Sequence, residues 1–229
     1  MVVMPLARSA FARAHWLVLA PHADDETLGA GALIAETARG RRLAGVVFLT
    51  DGSGSHSFND NATRERLVRL RRREARLALR RLAGKRAPKP TFLSWKDAHP
   101  NPPGSDEFAR SLRKLEARCR TERVTAIAVT AQAEPHCDHV AAFELARAVC
   151  QASRGRIALF QYHVWSEPGN RRHHGVETAD IHPGVRRHAL RAHRTQLTAS
   201  FGEGFRLPQE KTRMASRDIL FLKELRLAA

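Results

Sequence analysis

The sequence predicts an α/β fold: a single domain built on a mostly parallel, Rossmann-like sheet with helices on both faces. Three observations lead there. Short apolar runs of strand length alternate with longer amphipathic stretches of helical length. The apolar runs give way to polar or Gly/Pro-bearing loops. With 229 residues and 43% hydrophobic side chains, the chain can close one substantial core. No internal repeat or low-complexity linker divides it, so residues 1–229 read as one domain.

The elements follow in order. His15 to Ala20 is a short apolar run ending at Pro21 and predicts a buried strand. Thr27 to Arg39 carries small and apolar residues at helical spacing and is closed by Gly40. Leu43 to Thr50 predicts a second strand, stopped by Asp51-Gly52 and a Ser/Gly/Asn loop to Asn61. Ala62 to Ala83 predicts a long basic helix whose buried stripe includes Leu67, Leu70, Ala75, Leu77, Ala78 and Leu82. Thr91 to Trp95 is a third strand, followed by a Pro-rich loop and a helix over about Ser105 to Arg120. Val124 to Thr130 is the clearest strand, and a helix from about Asp138 to Ala152 follows its polar loop. Ile157 to Val164 predicts another strand, Ser166 to Glu177 an irregular segment, and Pro183 to Ala199 a helix with proline in its first turn. Met214 to Leu227 reads as a short helix, or part helix and part strand.

Composition narrows the function classes. A core of this size argues against disorder. No apolar run approaches the ~18–20 residues of a membrane span. The run Trp16 to Ala20 is too short for the apolar part of an export signal, so a cytoplasmic location is expected. Cys119, Cys137 and Cys150 show no CxxC spacing and read as reduced thiols. Lys+Arg 39 against Asp+Glu 23 gives a net charge of +16. That balance favours anionic company, either a phosphorylated substrate or peripheral contact with an anionic membrane, or else reflects arginine-rich solvated faces. The basic stretch Arg64 to Arg86 lacks the interleaved aromatics that base stacking needs, which argues against nucleic acid. The run Arg171-Arg172-His173-His174 reads as a solvated loop, with a lid or an anion contact as the alternative.

In open α/β sheets, sites gather at the carboxyl ends of strands. Two such loops are dense in chemistry. Pro21-His22-Ala23-Asp24-Asp25-Glu26 follows the first strand, and Glu134-Pro135-His136-Cys137-Asp138-His139 follows the fourth. Burying so many like charges is costly unless a cation compensates, and His with carboxylate is an ordinary ligand set for zinc. The plainer reading is that Asp24, Asp25 and Asp138 cap the helices that follow them.

PHADDE at 21–26 and HCDH at 136–139 resemble the two signature motifs of the LmbE-like/PIG-L family of zinc-dependent N-deacetylases. Leu49-Thr50-Asp51-Gly52, Arg71 with Glu74, Asp97, and Ala189 to Gln196 are similar to further family motifs, so the resemblance runs from about residue 15 to 197. It implies that His22, Asp25 and His139 bind one zinc ion, that Asp24 is the general base, and that His136 polarises the carbonyl or donates a proton. It further implies that Asp138 orients His136 and that Arg71 and Asp97 contact sugar hydroxyls. Glu26 is expected to form a supporting hydrogen bond or to serve the helix N-terminus. Ala23 and Cys137 stand where the family commonly has proline, and Cys137 is a competing metal ligand by position. Some relatives use a mobile tyrosine; Tyr162, the one tyrosine here, is not placed for that role.

The expected activity is hydrolysis of an N-acetyl amide on a small-molecule amino-sugar conjugate, lipid-linked or phosphorylated among the options. A zinc amidase acting on another acyl group or on a thiol conjugate is the nearest alternative. A catalytically silent basic binder is the alternative outside enzymes.

Overall fold

Five consecutive apolar residues with no polar alternation demand cover on both sides, and Trp16 to Ala20 is buried along its whole length. The computed structural model describes residues 2–58, 60–168 and 174–223. Its elements run β1 (Val2–Pro5), β2 (Trp16–Ala20), α1 (Asp25–Arg39), β3 (Leu43–Thr50), α2 (Asn61–Ala83), β4 (Thr91–Trp95) and α3 (Asp106–Thr121). They continue through β5 (Ala126–Thr130), α4 (Cys137–Ala152), β6 (Ala158–Tyr162), β7 (His174–Glu177), α5 (Pro183–Leu190), α6 (Arg194–Leu197) and β8 (Ile219–Lys223). Eight strands form one sheet in the order β1-β7-β8-β6-β5-β2-β3-β4. All neighbouring pairs are parallel except those that β8 makes with β6 and β7.

Strand alternation divides the core in two. Trp16, Val18, Ala20, Phe48, Ala128 and Phe160 face α1, α2 and α5; Leu17, Leu19, Leu49, Val129 and Leu159 face α3 and α4. The expected doubly covered sheet is therefore present. Three local expectations are corrected. Val2 to Pro5 forms an edge strand that the sequence reading left unassigned. Residues 174–177, expected to be irregular, pair with β1 and β8, a stabilisation visible only in three dimensions. The expected helix over 183–199 breaks into α5 and α6 at Ala192–His193, where His193 leaves helical geometry and its side chain bonds to Glu26. Within the C-terminal segment, β8 occupies Ile219–Lys223, and the rest of that expectation, from residue 224, lies outside the described residues.

The centre of the sheet is tightly fitted. The Tyr162 hydroxyl donates to the Leu19 carbonyl at 3.0 Å, fixing a fully buried ring against Gly29 of α1. A methyl group at Gly29 would lie 2.2 Å from Tyr162 Cδ2 and 3.2 Å from the His163 carbonyl. Gly29→Ala is therefore expected to destabilise the fold by ~1–3 kcal/mol through overpacking, as read by urea unfolding. Tyr162 is thus engaged in the core, in keeping with the absence of any site role assigned to it.

Candidate active site

The strand order reverses direction between β2 and β5, which are direct neighbours. That junction opens a crevice at their carboxyl ends. The loop of His22, Asp24 and Asp25 leaves β2 there, and the loop of His136, Asp138 and His139 leaves β5 beside it.

Asp25 Oδ2 is the shared vertex. It lies 3.2 Å from His22 Nδ1 and 3.3 Å from His139 Nε2, and the three residues offer donor atoms within 4.8 Å of one another. Each imidazole is backed by a carboxylate on its other nitrogen. His22 Nε2 sits 3.0 Å from Asp138 Oδ2 and 3.3 Å from Asp97 Oδ1, while His139 Nδ1 sits 3.3 Å from Glu134 Oε2. Carboxylate backing of this kind fixes ring orientation and raises the basicity of a metal-binding histidine.

The electrostatics match a cation at the vertex. Burial alone would lower the pKa of His139, yet Asp25 and Glu134 raise it to about 9. Burial also works against a charged His22, but Asp138, Asp25 and Asp97 hold its pKa well above the usual imidazole value. Asp25, which burial would push up, is drawn well down by His139 and His22. Neither ring nitrogen of fully buried His139 makes a well-formed hydrogen bond. Two imidazoles, one carboxylate and an orphaned buried nitrogen fit a divalent ion such as zinc.

Asp24 stands beside this vertex and is buried with φ at 135°, a region unfavourable for a residue bearing Cβ. Its side chain caps nothing in α1. Instead Glu26 Oε2 accepts the Asp24 amide at 2.8 Å, and Glu26 Oε1 accepts from Thr27 Oγ1 at 2.6 Å. Glu26 Oε1 also pairs with His193 Nε2 at 2.9 Å. The Glu26–His193 pair, fully buried on both sides, thus pins the strained backbone at Asp24. Burial, together with the adjacent Asp25 charge, raises the Asp24 pKa to about 7.

His136 is the most open of the group, its side chain 41% exposed. Its Nδ1 accepts the Asp138 amide at 3.2 Å, which leaves the proton on Nε2. Burial and the neighbouring His22 lower its pKa, which favours the neutral imidazole as a donor. Asp138 relates to His136 through its backbone amide and through its charge, which works against the fall in the His136 pKa. The Asp138 carboxylate goes to His22 and to the Ala98 amide at 2.9 Å, and stands 3.9 Å from His136 Nδ1. Because its side chain caps no helix, the plain capping reading does not describe Asp138 either. Donor atoms of His22, Asp97, His136 and Asp138 also lie within 4.8 Å of one another, and the exposed Cys137 belongs neither to this group nor to that of His22, Asp25 and His139.

These groups line a cavity of about 260 Å³ whose other walls include Arg71, Asp97, Gln196, Trp165 and Phe205. Arg71 is buried and donates Nη1 to the Gly52 carbonyl at 2.8 Å, while Nε and Nη2 have no partner. That free pair of N–H groups is the edge guanidinium uses for two-pronged contacts. Asp97 accepts from the Gly54 amide at 3.0 Å through Oδ2 and faces His22 through Oδ1, so it also steadies the cluster. Of the residues singled out by sequence, the structure brings His22, Asp24, Asp25, Arg71, Asp97, His136 and His139 to this cavity. Glu26 and Asp138 stand behind it. Arg171, Arg172 and His173 lie outside the described residues.

The sequence reading missed the role of Glu134. This buried carboxylate backs His139 and also accepts the amides of Val164, Trp165 and Ser166. Its position at the head of the second cluster was the available signal. Trp165 and Phe205 were missed as well, and no local pattern marks them.

These features define an α/β protein with converging His and Asp side chains at the carboxyl ends of its strands, and its family is one of hydrolytic N-deacetylases. The chain belongs to the PIG-L family, described as GlcNAc-PI de-N-acetylase, whose profile matches residues 17–150. Among solved structures it is similar to the N,N'-diacetylchitobiose deacetylase of Pyrococcus horikoshii, with 19% identity, a TM-score of 0.65, and coverage of 94% of this chain and 86% of that one. It is also similar to the deacetylase of the A40926 pseudoaglycone, with 18% identity, a TM-score of 0.66, and coverage of 95% and 99%. A third similar structure is 4-carboxy-2-hydroxymuconate hydratase from Pseudomonas putida KT2440, at 16% identity and a TM-score of 0.53, covering 93% and 97%. At these identities the likeness establishes the fold alone, and the hydratase illustrates why chemistry has to be argued from the site. No curated protein matches the sequence. Among the described residues, no helix is long and apolar enough to cross a membrane.

Proposed function

We propose that this protein is a zinc-dependent N-deacetylase that hydrolyses the acetamide of an N-acetylglucosaminyl conjugate, yielding acetate and the free amine. The reading rests above all on one observation. Donor atoms of His22, Asp25 and His139 converge from two loops, directly beside a buried Asp24 whose carboxylate is free of cap duty. His22, Asp25 and His139 would hold the ion. Bound there, it would supply Lewis-acid polarisation of the acetyl carbonyl and acidify the attacking water.

The chain's own groups carry the proton traffic. Asp24 takes a proton from the water as it attacks the carbonyl carbon, a task that burial favours by raising the carboxylate's affinity for a proton. His136 offers its Nε2 proton to the oxyanion that develops on the acetyl oxygen, as a neutral donor with no change of charge. The C–N bond then breaks, the amine nitrogen takes the proton that Asp24 received, and acetate leaves. Asp138 and Asp97 hold His22 in orientation, Glu134 holds His139, and Glu26 with His193 holds the Asp24 backbone. Arg71 and Asp97 line the same wall of the cavity, which supports a role for both in holding neighbouring sugar hydroxyls. The catalytic unit is taken to span residues 1–229 and to work in the cytoplasm. The surplus of basic side chains favours conjugates bearing phosphate or an anionic lipid.

The decisive experiment is a screen of N-acetylglucosamine conjugates, neutral and phosphorylated, for released acetate, run beside a thiol conjugate and longer acyl donors. Metal-stripped protein is expected to lose the activity and to regain it with one zinc ion per chain, as counted by metal analysis. Retention of full activity without metal would overturn the reading, and preference for another acyl group would move it to a different amide.

A further inference from the structure

The cavity does not end at the acetamide centre. Its mouth carries two aromatic rings, Trp165 and Phe205, which stand at 81° to each other with centroids 6.2 Å apart. Phe205 is 39% exposed and Trp165 is half-buried, an arrangement that leaves apolar surface in water beside a polar reaction centre. Both are fastened from behind. The Trp165 amide donates to Glu134 Oε2 at 3.0 Å, and the same carboxylate oxygen stands 3.3 Å from His139. Lys211 Nζ donates to the Val164 carbonyl at 2.6 Å and lies 5.1 Å from the centre of the Trp165 ring. Beside it the Phe205 amide donates to the Ser55 carbonyl at 2.8 Å, and the adjacent Gly204 bridges to His56. A side chain at Gly204 would strike the His56 ring at 2.4 Å, so this junction depends on glycine.

Preorganised apolar surface fixed in register with a reaction centre implies a ligand that covers it. We infer that Trp165 and Phe205 form a seat for an apolar aglycone, an aryl or alkyl group carried by the N-acetyl amino sugar. The inference rests on the deacetylase reading for the position of the sugar. The shape selects the occupant. Two rings near a right angle make a corner that receives the edge of a flat group or a chain, and the lysine over the indole takes up one of its faces. A second pyranose is the competing occupant, and the chitobiose arm of the test decides against it or for it.

The test compares release of acetate from N-acetylglucosamine, N,N'-diacetylchitobiose, and the p-nitrophenyl and octyl glycosides of N-acetylglucosamine. The aryl and alkyl glycosides are expected to be favoured in kcat/KM by roughly tenfold or more over the monosaccharide, the order of effect a few apolar contacts supply. In Phe205→Ala and Trp165→Ala proteins that preference ratio is expected to collapse towards one, with the loss falling mainly on the glycosides. Binding is read separately by tryptophan fluorescence in Asp24→Asn protein, because Trp16 and Trp95 are buried and Trp165 is the indole at the mouth. Equal kcat/KM across the four substrates, preference for chitobiose, or a ratio that survives both substitutions overturns the aglycone seat and leaves the deacetylase reading intact. Absence of acetate from all four together with selective quenching by the glycosides overturns the deacetylase reading and sustains the seat. Absence of both acetate and selective quenching overturns both.

Discussion

Asp24→Asn protein is expected to lose roughly 10²–10⁴-fold in kcat on an N-acetyl amino-sugar conjugate, the usual contribution of a positioned general base. Its zinc content is expected to remain that of the unaltered protein. Asparagine has the size of aspartate and shares its tolerance of positive φ, so the strained backbone and the Glu26 contact to the residue 24 amide can persist. What disappears is the capacity to accept a proton from water. Because that capacity matters only as the water attacks, kcat and kcat/KM should fall together while substrate binding holds. The substitution also removes one of three neighbouring carboxylates, so no loss of thermal stability is expected to confuse the result. Steady-state kinetics, metal analysis and a thermal melt on one preparation make the check. A kcat within a few-fold of the unaltered protein would place the base elsewhere in the cavity.

The parts of this site that could be read from sequence are those whose signal is local. Pro21 to Glu26 and Glu134 to His139 each concentrate acids and imidazoles between an apolar strand and a helix, and the rule that sites follow strand ends placed both loops on one rim. Which carboxylate serves which imidazole was not legible. Asp138 is two residues from His136 in sequence, yet its carboxylate bonds to His22, on a different strand loop. His193 illustrates the same limit. Its helical spacing predicted a continuous helix, but the turn at Ala192 brings the imidazole onto Glu26, a contact that no periodicity encodes. Strand β7 escaped prediction, and β8 was legible only as one option for the C-terminal segment, for a related reason. Their pairing is with each other and with β1 and β6, all distant in sequence. Glu134 was legible as a charge and illegible as a device, since its two tasks, backing His139 and anchoring the Trp165 loop, meet only in the folded chain.

The other large effect is expected in stability, at a buried ion pair outside the cavity. Helix α1, which presents Asp25 and Glu26 from its first turn, loses helical geometry at Ala30, where φ is −134° and ψ is 16°. A break inside a helix leaves carbonyls on one side and amides on the other without intrahelical partners. Arg186 meets the carbonyls: Nε donates to Thr27 at 2.7 Å and Nη2 to Leu28 at 2.5 Å. Asp218 meets the amides, with Oδ2 accepting from Leu33 at 2.9 Å. The two side chains close on each other at 2.7 Å, and both are almost wholly buried. Burial pushes the Asp218 carboxyl above its usual range, and Arg186 works against that shift. Removing either partner would therefore strand a charge and several backbone groups in the core. Asp218→Ala and Arg186→Met are each expected to cost ~3–5 kcal/mol in urea unfolding. In a chain of this size that corresponds to a fall in Tm of roughly 10 °C. Arg186→Lys should recover only part of the loss, because an ammonium is a point charge and does not span the carbonyls of Thr27, Leu28 and Ala215 and a carboxylate in fixed directions. The exposed pair Arg69–Glu65 is the internal comparison, and its removal is expected to cost less than about 1 kcal/mol. If Asp218→Ala proved no more damaging than loss of that surface pair, the break in α1 would have to be held by packing alone, and the first turn that carries Asp25 would owe its placement to Gly29 and Tyr162 instead.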